Sequence, residues 1–236
     1  MLQVEGLTKR FGALIAVNDL SFHVEAGQVF GIAGPNGAGK STLYNLITGN
    51  YSYEGKVVLD GRDISGMPPH RIARRGISRT FQIPEIFPSL TVEETVHVGS
   101  RFGSRGGVDV QHASEIIDVV GLGEELYQKT GALNLLGKKK LMIGAALATK
   151  PKILMLDEPM AGSNTTEILS LMELIKKINQ DLGVTIIIIE HFMKVLTDLA
   201  QVLMIIESGT LVCSGKPAEV IQDERVVKSY LGDSYA

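Results

Sequence analysis

The chain has 236 residues, of which 44% are hydrophobic and 21% charged, and its formal net charge is -3. These values are typical of a folded domain, and the slightly acidic balance excludes a global basic field for nucleic acid. The single cysteine excludes an intrachain disulfide. The N-terminus lacks a secretory signal, and no apolar run approaches the ~20 residues that span a bilayer. We therefore expect a soluble cytoplasmic protein that docks on a separate membrane protein if it serves a membrane process.

The predicted elements change character along the chain. The buried run Val29–Ala33 predicts a strand that leads into a loop, and a helix follows at 40–48. Further on we predict a strand at 56–59, a basic helix near 70–75, a capping box at Thr91 and Glu94 with its helix to about 100, a glycine-rich surface loop at 103–107, and helices at 113–120 and 141–148. Strands at 152–157, 184–189, 201–206 and 210–213 then alternate with helices at 166–179 and 192–199. This order predicts an α/β core with a helical insertion.

A phosphate-binding loop is predicted where the first buried strand ends. The sequence Gly34-Pro35-Asn36-Gly37-Ala38-Gly39-Lys40-Ser41, followed by Thr42, fits the pattern G-x-x-x-x-G-K-[ST] between a strand and a helix. Its glycines let backbone N–H groups surround a phosphate, and the following helix directs its positive dipole end at the same anion. Lys40 can reach the β- and γ-phosphates, and Ser41 can ligate Mg²⁺. We therefore predict ATP and Mg²⁺ as ligands.

Two carboxylates end the apolar strand at 152–157. Buried acids are costly unless they are paired or bind a metal, so we predict that Asp157 holds Mg²⁺ through water and that Glu158 is the general base for an attacking water. Another apolar strand ends at Glu190 and His191. Because ligands of open α/β sheets bind at the carboxyl ends of strands, His191 is predicted to contact the γ-phosphate or the catalytic water.

These parts, in this order, resemble the ATPases of the ATP-binding-cassette (ABC) family over nearly the whole chain. Within that family the likeness is greatest to the ATP-binding subunits of branched-chain amino acid importers. Three segments carry it: Arg79-Thr80-Phe81-Gln82, the run Asp-Glu-Pro-Met-Ala-Gly at 157–162, and the tail Val-Val-Lys-Ser-Tyr-Leu-Gly at 226–232. The resemblance implies a single cassette over 1–236, with a P-loop NTPase core at 1–89 and 150–236, an N-terminal antiparallel β subdomain, and a helical subdomain at 90–149.

The same resemblance implies roles for residues that no motif identifies on its own. Phe11 would stack on adenine, with Val17 also at the nucleotide. Gln82 would touch Mg²⁺ and the catalytic water and link the site to a transmembrane permease. His191 would be the family's switch histidine, and the loop at 161–164 would face a second cassette chain. Two such chains would close head-to-tail over two ATP molecules, at the cytoplasmic face of the membrane.

The sequence departs from the family at its signature, Leu-Ser-Gly-Gly-Gln. Counting back from Asp157 reaches Leu133-Asn134-Leu135-Leu136-Gly137, in which Asn134 and Gly137 remain candidates for contact with the partner chain's ATP. Leu136 adds a side chain where the backbone should approach closely, whereas Asn134 can still cap a helix. The lysines at 138–140 are predicted to form a solvated helix face. The family resemblance implies that each signature completes the other chain's site, so the defect falls on the other site unless the chain pairs with itself as a homodimer. Our hypothesis is an asymmetric heterodimer with one competent site.

Three functions remain open at this point. The first is the ATP-hydrolysing motor of an importer for branched-chain amino acids or a similar small solute. The second is a soluble cassette ATPase that acts on nucleic acid or ribosomes, although we expect no direct nucleic-acid partner. The third is a nucleotide-binding, poorly catalytic regulatory subunit. The apolar side chains of the segment at 82–90 are predicted either to contact the permease or to pack under the helical insertion: Ile83, Ile86, Phe87 and Leu90.

Overall fold

The computed structural model describes residues 1–103 and 109–231, with side chains to residue 228. Residues 104–107 of the predicted glycine-rich loop and Gly232 of the tail therefore lie outside the described residues. The chain forms two compact units, which are described separately below. The first unit contains residues 1–69 and those from 185 onward, and the second contains residues 70–184.

The strands and helices follow the predicted order. In chain order the strands are β1 (Leu2–Phe11), β2 (Leu14–Val24), β3 (Val29–Ala33), β4 (Glu54–Leu59), β5 (Arg62–Asp63), β6 (Ile77–Arg79), β7 (Ile153–Asp157), β8 (Thr185–Ile189), β9 (Val202–Glu207) and β10 (Thr210–Gly215). The helices are α1 (Lys40–Ile47), α2 (Pro69–Arg75), α3 (Val92–Gly103), α4 (Val110–Val120), α5 (Leu135–Leu147), α6 (Thr165–Leu182), α7 (Met193–Leu199), α8 (Pro217–Val220) and α9 (Glu224–Leu231), with a 3₁₀ turn at Thr130–Ala132. The predicted α/β fold is confirmed.

Two sheets build the first unit. One is antiparallel in the order β2-β1-β4-β5, and β1 begins with the alternation of buried and exposed residues that a sheet with one solvated face requires. In the other, β3 lies between β8 and β9 and runs parallel to both, while β10 is antiparallel to β9. Every residue of β3 and β8 is buried, which matches their continuous apolar runs. The carboxyl end of β3 therefore delivers the phosphate loop from a rigid support.

The second unit contains the parallel pair β6 and β7 and most of the helices. The capping box before α3 is confirmed, because the Thr91 backbone N–H donates to Glu94 and the Glu94 N–H donates back to the Thr91 hydroxyl. Helices α4 and α5 begin earlier than predicted, at Val110 and Leu135, since Asp109 and Asn134 cap them. No helix in residues 1–103 or 109–231 is long and apolar enough to cross a bilayer.

Candidate nucleotide-binding site

The phosphate loop in the first unit joins β3 to α1, and two of its positions have room for glycine alone. A side chain at Gly34 would place its Cβ 2.1 Å from the carbonyl oxygen of Ile206, and one at Gly39 would lie 2.3 Å from that of Ala16. Gly39 also has a φ of 101°, which L side chains rarely adopt. The tight turn brings the amino end of α1 to the loop, where backbone N–H groups attract an anion.

The lysine of the loop is folded back onto it. The Lys40 side chain is largely buried, and its Nζ donates to the carbonyl oxygens of Gly34 at 2.7 Å and Pro35 at 3.1 Å. Among its neighbours, Asn36, Gly37 and Ser41 are exposed, Gly39 and Thr42 are half-buried, and Ala38 is buried. These two carbonyl oxygens help to hold the ammonium at the loop, and a phosphate would offer it a stronger, charged acceptor.

The aromatic predicted to stack on adenine is available for that contact. Phe11 is 43% exposed, and its ring meets Tyr51 edge-to-face with centroids 5.4 Å apart. Lys9 Nζ lies 5.1 Å from the centre of the Phe11 ring and 5.7 Å from that of Tyr51. Val17, by contrast, is only 1% exposed, so its side chain offers a nucleotide almost no surface. Sequence reasoning missed Lys9 and Tyr51, because no motif signals this long-range contact.

The predicted switch histidine also lies in the first unit. His191 follows β8 directly, is exposed, and its backbone N–H donates to Oε2 of Glu190 at 3.1 Å. Glu190 is itself buried. The carboxylate therefore fixes the backbone at the point where the histidine leaves the sheet, and the imidazole remains exposed to a ligand.

In the second unit, β7 ends in the predicted metal ligand. Asp157 is buried, and its Oδ2 lies 3.3 Å from Nη2 of Arg79, with both side chains largely shielded from water. The Asp157 backbone N–H donates to the Thr80 hydroxyl at 3.4 Å. Arg79 was noticed in the sequence only as part of a family segment, and its pairing with this carboxylate was not predicted. The guanidinium supplies a positive charge that makes burial of the carboxylate tolerable.

The predicted base and the predicted water-binding amide are brought together in the same unit. Gln82 Nε2 donates to Glu158 Oε2 at 2.7 Å. Glu158 has a φ of 47°, in the left-handed region that non-glycine residues seldom occupy. Such strain costs about 1–3 kcal/mol and persists only where the surrounding structure holds it, often at functional sites. The geometry therefore holds the Glu158 carboxylate in a defined position at the strand end.

The altered signature forms the amino end of α5. Asn134 is the N-cap, and its Oδ1 accepts a hydrogen bond from the Gly137 backbone N–H at 2.7 Å, so the capping role is confirmed. The prediction that the lysines at 138–140 form a solvated face is wrong for Lys139, which is only 2% exposed. Its Nζ donates to the Ala161 carbonyl and the Ser163 hydroxyl. These acceptors make the burial of the ammonium tolerable. They belong to a turn that is distant in the sequence, so the periodicity of the helix could not predict the contact.

Comparison with known proteins shows the family of the chain. The ABC transporter family matches residues 17–161, and the branched-chain amino acid ATP-binding cassette transporter family matches residues 210–236. The high-affinity branched-chain amino acid transport ATP-binding protein BraF of Pseudomonas aeruginosa is 36% identical, over 99% of this chain and 98% of its own. The corresponding protein LivG of Salmonella typhimurium is 33% identical over the same shares.

A solved structure has the same architecture. A nucleotide-free ATP-binding cassette from an ABC transporter superposes with a TM-score of 0.89 at 30% identity, over 99% of both chains. The fold and the phosphate loop define a nucleotide-binding ATPase of the P-loop class. The chain belongs to the ABC transporter family, in which it is an ATP-binding, ATP-hydrolysing cassette.

Proposed function

We propose that this chain is the ATP-hydrolysing subunit of an importer for branched-chain amino acids or a similar small solute, and that it couples closure of a cassette dimer to a membrane permease. The observation that carries hydrolysis is the 2.7 Å contact between Gln82 and Glu158 at the end of β7. The solute class rests on the relatives named as branched-chain amino acid transport proteins and on the matching carboxyl-terminal family at 210–236.

The chemistry follows from the residue types that the family resemblance assigns to the nucleotide. ATP would bind with its phosphates on the loop at 34–42, where Lys40 exchanges its carbonyl partners for phosphate oxygens, and with its base against Phe11. The hydroxyl of Ser41, the carboxylate of Asp157 and the amide of Gln82 each offer a hard oxygen donor of the kind that Mg²⁺ prefers, so each residue by its type fits the ligand role that the family resemblance gives it. Mg²⁺ would neutralise charge that develops on the phosphates.

The remaining residues act on the attacking water. The Glu158 carboxylate accepts its proton, as a general base in hydrogen-bond reach must do. Gln82 holds that carboxylate through the contact described above, and His191 donates a hydrogen bond to the γ-phosphate or to the water. Among these side chains, Glu158 is the one that changes protonation during the proposed reaction.

The permease partner is assigned to the apolar segment at 82–90, which we call the coupling segment. Ile83 is 76% exposed and Phe87 is 55% exposed, more than a solvated loop requires, whereas Ile86 and Leu90 are half-buried. Exposed apolar side chains in one short segment are typical of a protein–protein contact. Docking there places the chain as a peripheral protein on the cytoplasmic face of the membrane.

Transport in reconstituted vesicles tests the coupling. Vesicles that contain the chain and its permease subunits should take up leucine when supplied with Mg-ATP. Phe87→Asp should abolish uptake while leaving ATP binding unchanged. The matched control is Leu169→Asp on α6, which changes an equally exposed apolar side chain outside the coupling segment and should leave uptake intact. Loss of ATP affinity in Phe87→Asp would contradict the assignment of the segment.

A second candidate is supported by the altered signature. Leu135 and Leu136 carry side chains where the family has glycine, which favours a regulatory subunit that binds nucleotide and hydrolyses it poorly. Hydrolysis by the purified chain across a series of protein concentrations separates the two. A rate that rises faster than linearly supports a self-associating ATPase. Binding without turnover supports either an obligate second cassette chain or the regulatory function, and addition of the permease complex then distinguishes these.

A further inference from the structure

A buried lysine lies in the helix that carries the altered signature. Lys139, on α5, is 2% exposed, whereas its neighbours Lys138 and Lys140 are half-buried. Lysine is almost never fully buried unless its ammonium is hydrogen-bonded or paired, because desolvation of the charge is costly. Specific contacts of the ammonium, and not the helical pattern of the sequence, must therefore account for a buried lysine at this position.

Those contacts lie in one turn of the chain. The segment at 161–164, which we call the linking turn, leads from the end of β7 to α6. Lys139 Nζ donates to the carbonyl oxygen of Ala161 and, at 2.8 Å, to the hydroxyl of Ser163. The Ala161 N–H in turn donates to the carbonyl oxygen of Glu158 at 3.1 Å. One ammonium thus connects α5 to a turn that is hydrogen-bonded to the residue predicted to be the base.

A second residue of α5 lies near the same turn. A Cβ added to Gly162 would lie 3.5 Å from Cδ2 of Leu135, at the first residue of α5. Gly162 has a φ of 72°, which glycine adopts without a steric penalty. The linking turn therefore lies beside Leu135 and is hydrogen-bonded to Lys139, one turn further along α5.

We propose that Lys139 is a positioning residue that fixes the linking turn to α5 and thereby holds Glu158 in its left-handed conformation. The strained backbone of Glu158 persists only while its surroundings hold it. Gln82 holds the side chain, and the Lys139-anchored turn holds the backbone that follows it. Lys139 is buried, so we assign it a positioning role and not direct contact with the nucleotide. The consequence for turnover rests on the proposed hydrolytic function, whereas the effect on the turn does not.

Steady-state hydrolysis and amide hydrogen exchange of the full chain test the proposal together. Lys139→Met keeps the length of the side chain and removes its donors. We expect about a tenfold lower kcat, since small misplacement of a catalytic group is costly, with KM for ATP unchanged because the phosphate loop is intact. Exchange at the amides of Ala161 and Ser163 should accelerate about tenfold. Lys139→Arg should recover part of both effects, because guanidinium also donates to carbonyl and hydroxyl oxygens.

Controls separate positioning from a general loss of structure. Lys138→Met makes the same change one residue away and should alter neither kcat nor exchange. Ser163→Ala removes one acceptor from the linking turn, should lower kcat less than Lys139→Met, and provides the test if Lys139→Met does not fold. The double variant of Lys139→Met and Ser163→Ala should have the same kcat as Lys139→Met alone, because Lys139→Met has already removed the contact with Ser163.

Several results would overturn the proposal. It fails if Lys139→Met exchanges at the linking turn as Lys138→Met does, or if kcat is unchanged. It also fails if Lys139→Arg recovers nothing while the melting midpoint falls, which would indicate a purely structural lysine. Absence of hydrolysis by the wild-type chain, alone and with its partners, would contradict the proposed function instead, and the exchange measurement would still decide whether the turn is held by Lys139.

Discussion

Replacement of Glu158 by glutamine isolates the proton-accepting step. The substitution keeps the size of the side chain, and its amide oxygen can still accept the 2.7 Å hydrogen bond from Gln82, so the geometry is retained. What is lost is the basic carboxylate. A general base contributes about 10²–10⁴-fold, so we expect kcat to fall by that factor, which corresponds to about 3–5 kcal/mol of activation free energy. ATP affinity should be unchanged.

The assay is steady-state hydrolysis at saturating Mg-ATP, which reports kcat, with affinity measured separately by a fluorescent ATP analogue. Glu167→Gln is the matched control, because it makes the same chemical change in the same unit, and glutamine preserves the capping box of α6. That control should hydrolyse at the wild-type rate. The role assigned to Glu158 is refuted if Glu158→Gln retains more than a third of kcat, or if it loses ATP binding together with turnover.

Three further substitutions test other parts of the fold. Gly39→Ala should abolish ATP binding in equilibrium titration, because its Cβ would lie 2.3 Å from a carbonyl oxygen, whereas Gly27→Ala, with open space around it, should cost only about 1 kcal/mol in denaturation. Arg79→Leu leaves the Asp157 carboxylate without its buried cation and should lower the free energy of unfolding by about 3–5 kcal/mol in urea. The backbone N–H of Thr91 holds the pKa of Glu94 below its ordinary value, so Glu94→Ala should have a lower free energy of unfolding than the wild type at neutral pH. This difference in the free energy of unfolding should disappear as pH falls through the lowered pKa, which an NMR-monitored titration of Glu94 locates.

Local motifs explain what the sequence could predict. The phosphate loop is contiguous, and its glycines, lysine and hydroxyl have fixed spacing, so the buried strand β3 and the start of α1 at Lys40 followed directly. The carboxylates Asp157 and Glu158 were recognisable because two acids rarely end an apolar run without a function. The capping box before α3 was equally local. In each of these three cases the residues that form the motif lie within a few positions of each other in the sequence.

Long-range partners explain what the sequence could not predict. The Arg79 to Asp157 contact joins residues 78 positions apart, and the Lys139 to Ser163 contact joins residues 24 positions apart. From composition alone, three consecutive lysines predict a solvated helix face. The acceptors of Lys139 come from a distant segment that only the tertiary fold brings close. The early start of α5 has a different, local reason: the residues that follow the Asn134 cap, two leucines and a glycine, show no helical period.

The structure also locates the chemical consequence of the altered signature. Asn134 uses Oδ1 as the N-cap of α5, and its Nδ2 can still donate, so it retains both functions of a serine hydroxyl at this position. Leu135 has no such equivalence, because it is exposed and its side chain stands at the helix end where a phosphate would approach. Compared with the family signature, the leucines therefore add bulk, whereas the asparagine keeps the hydrogen-bonding capacity of the serine that it replaces. If the chain pairs with a different cassette, as we propose, we expect the steric change to weaken the partner's site and to leave the site at this chain's phosphate loop intact.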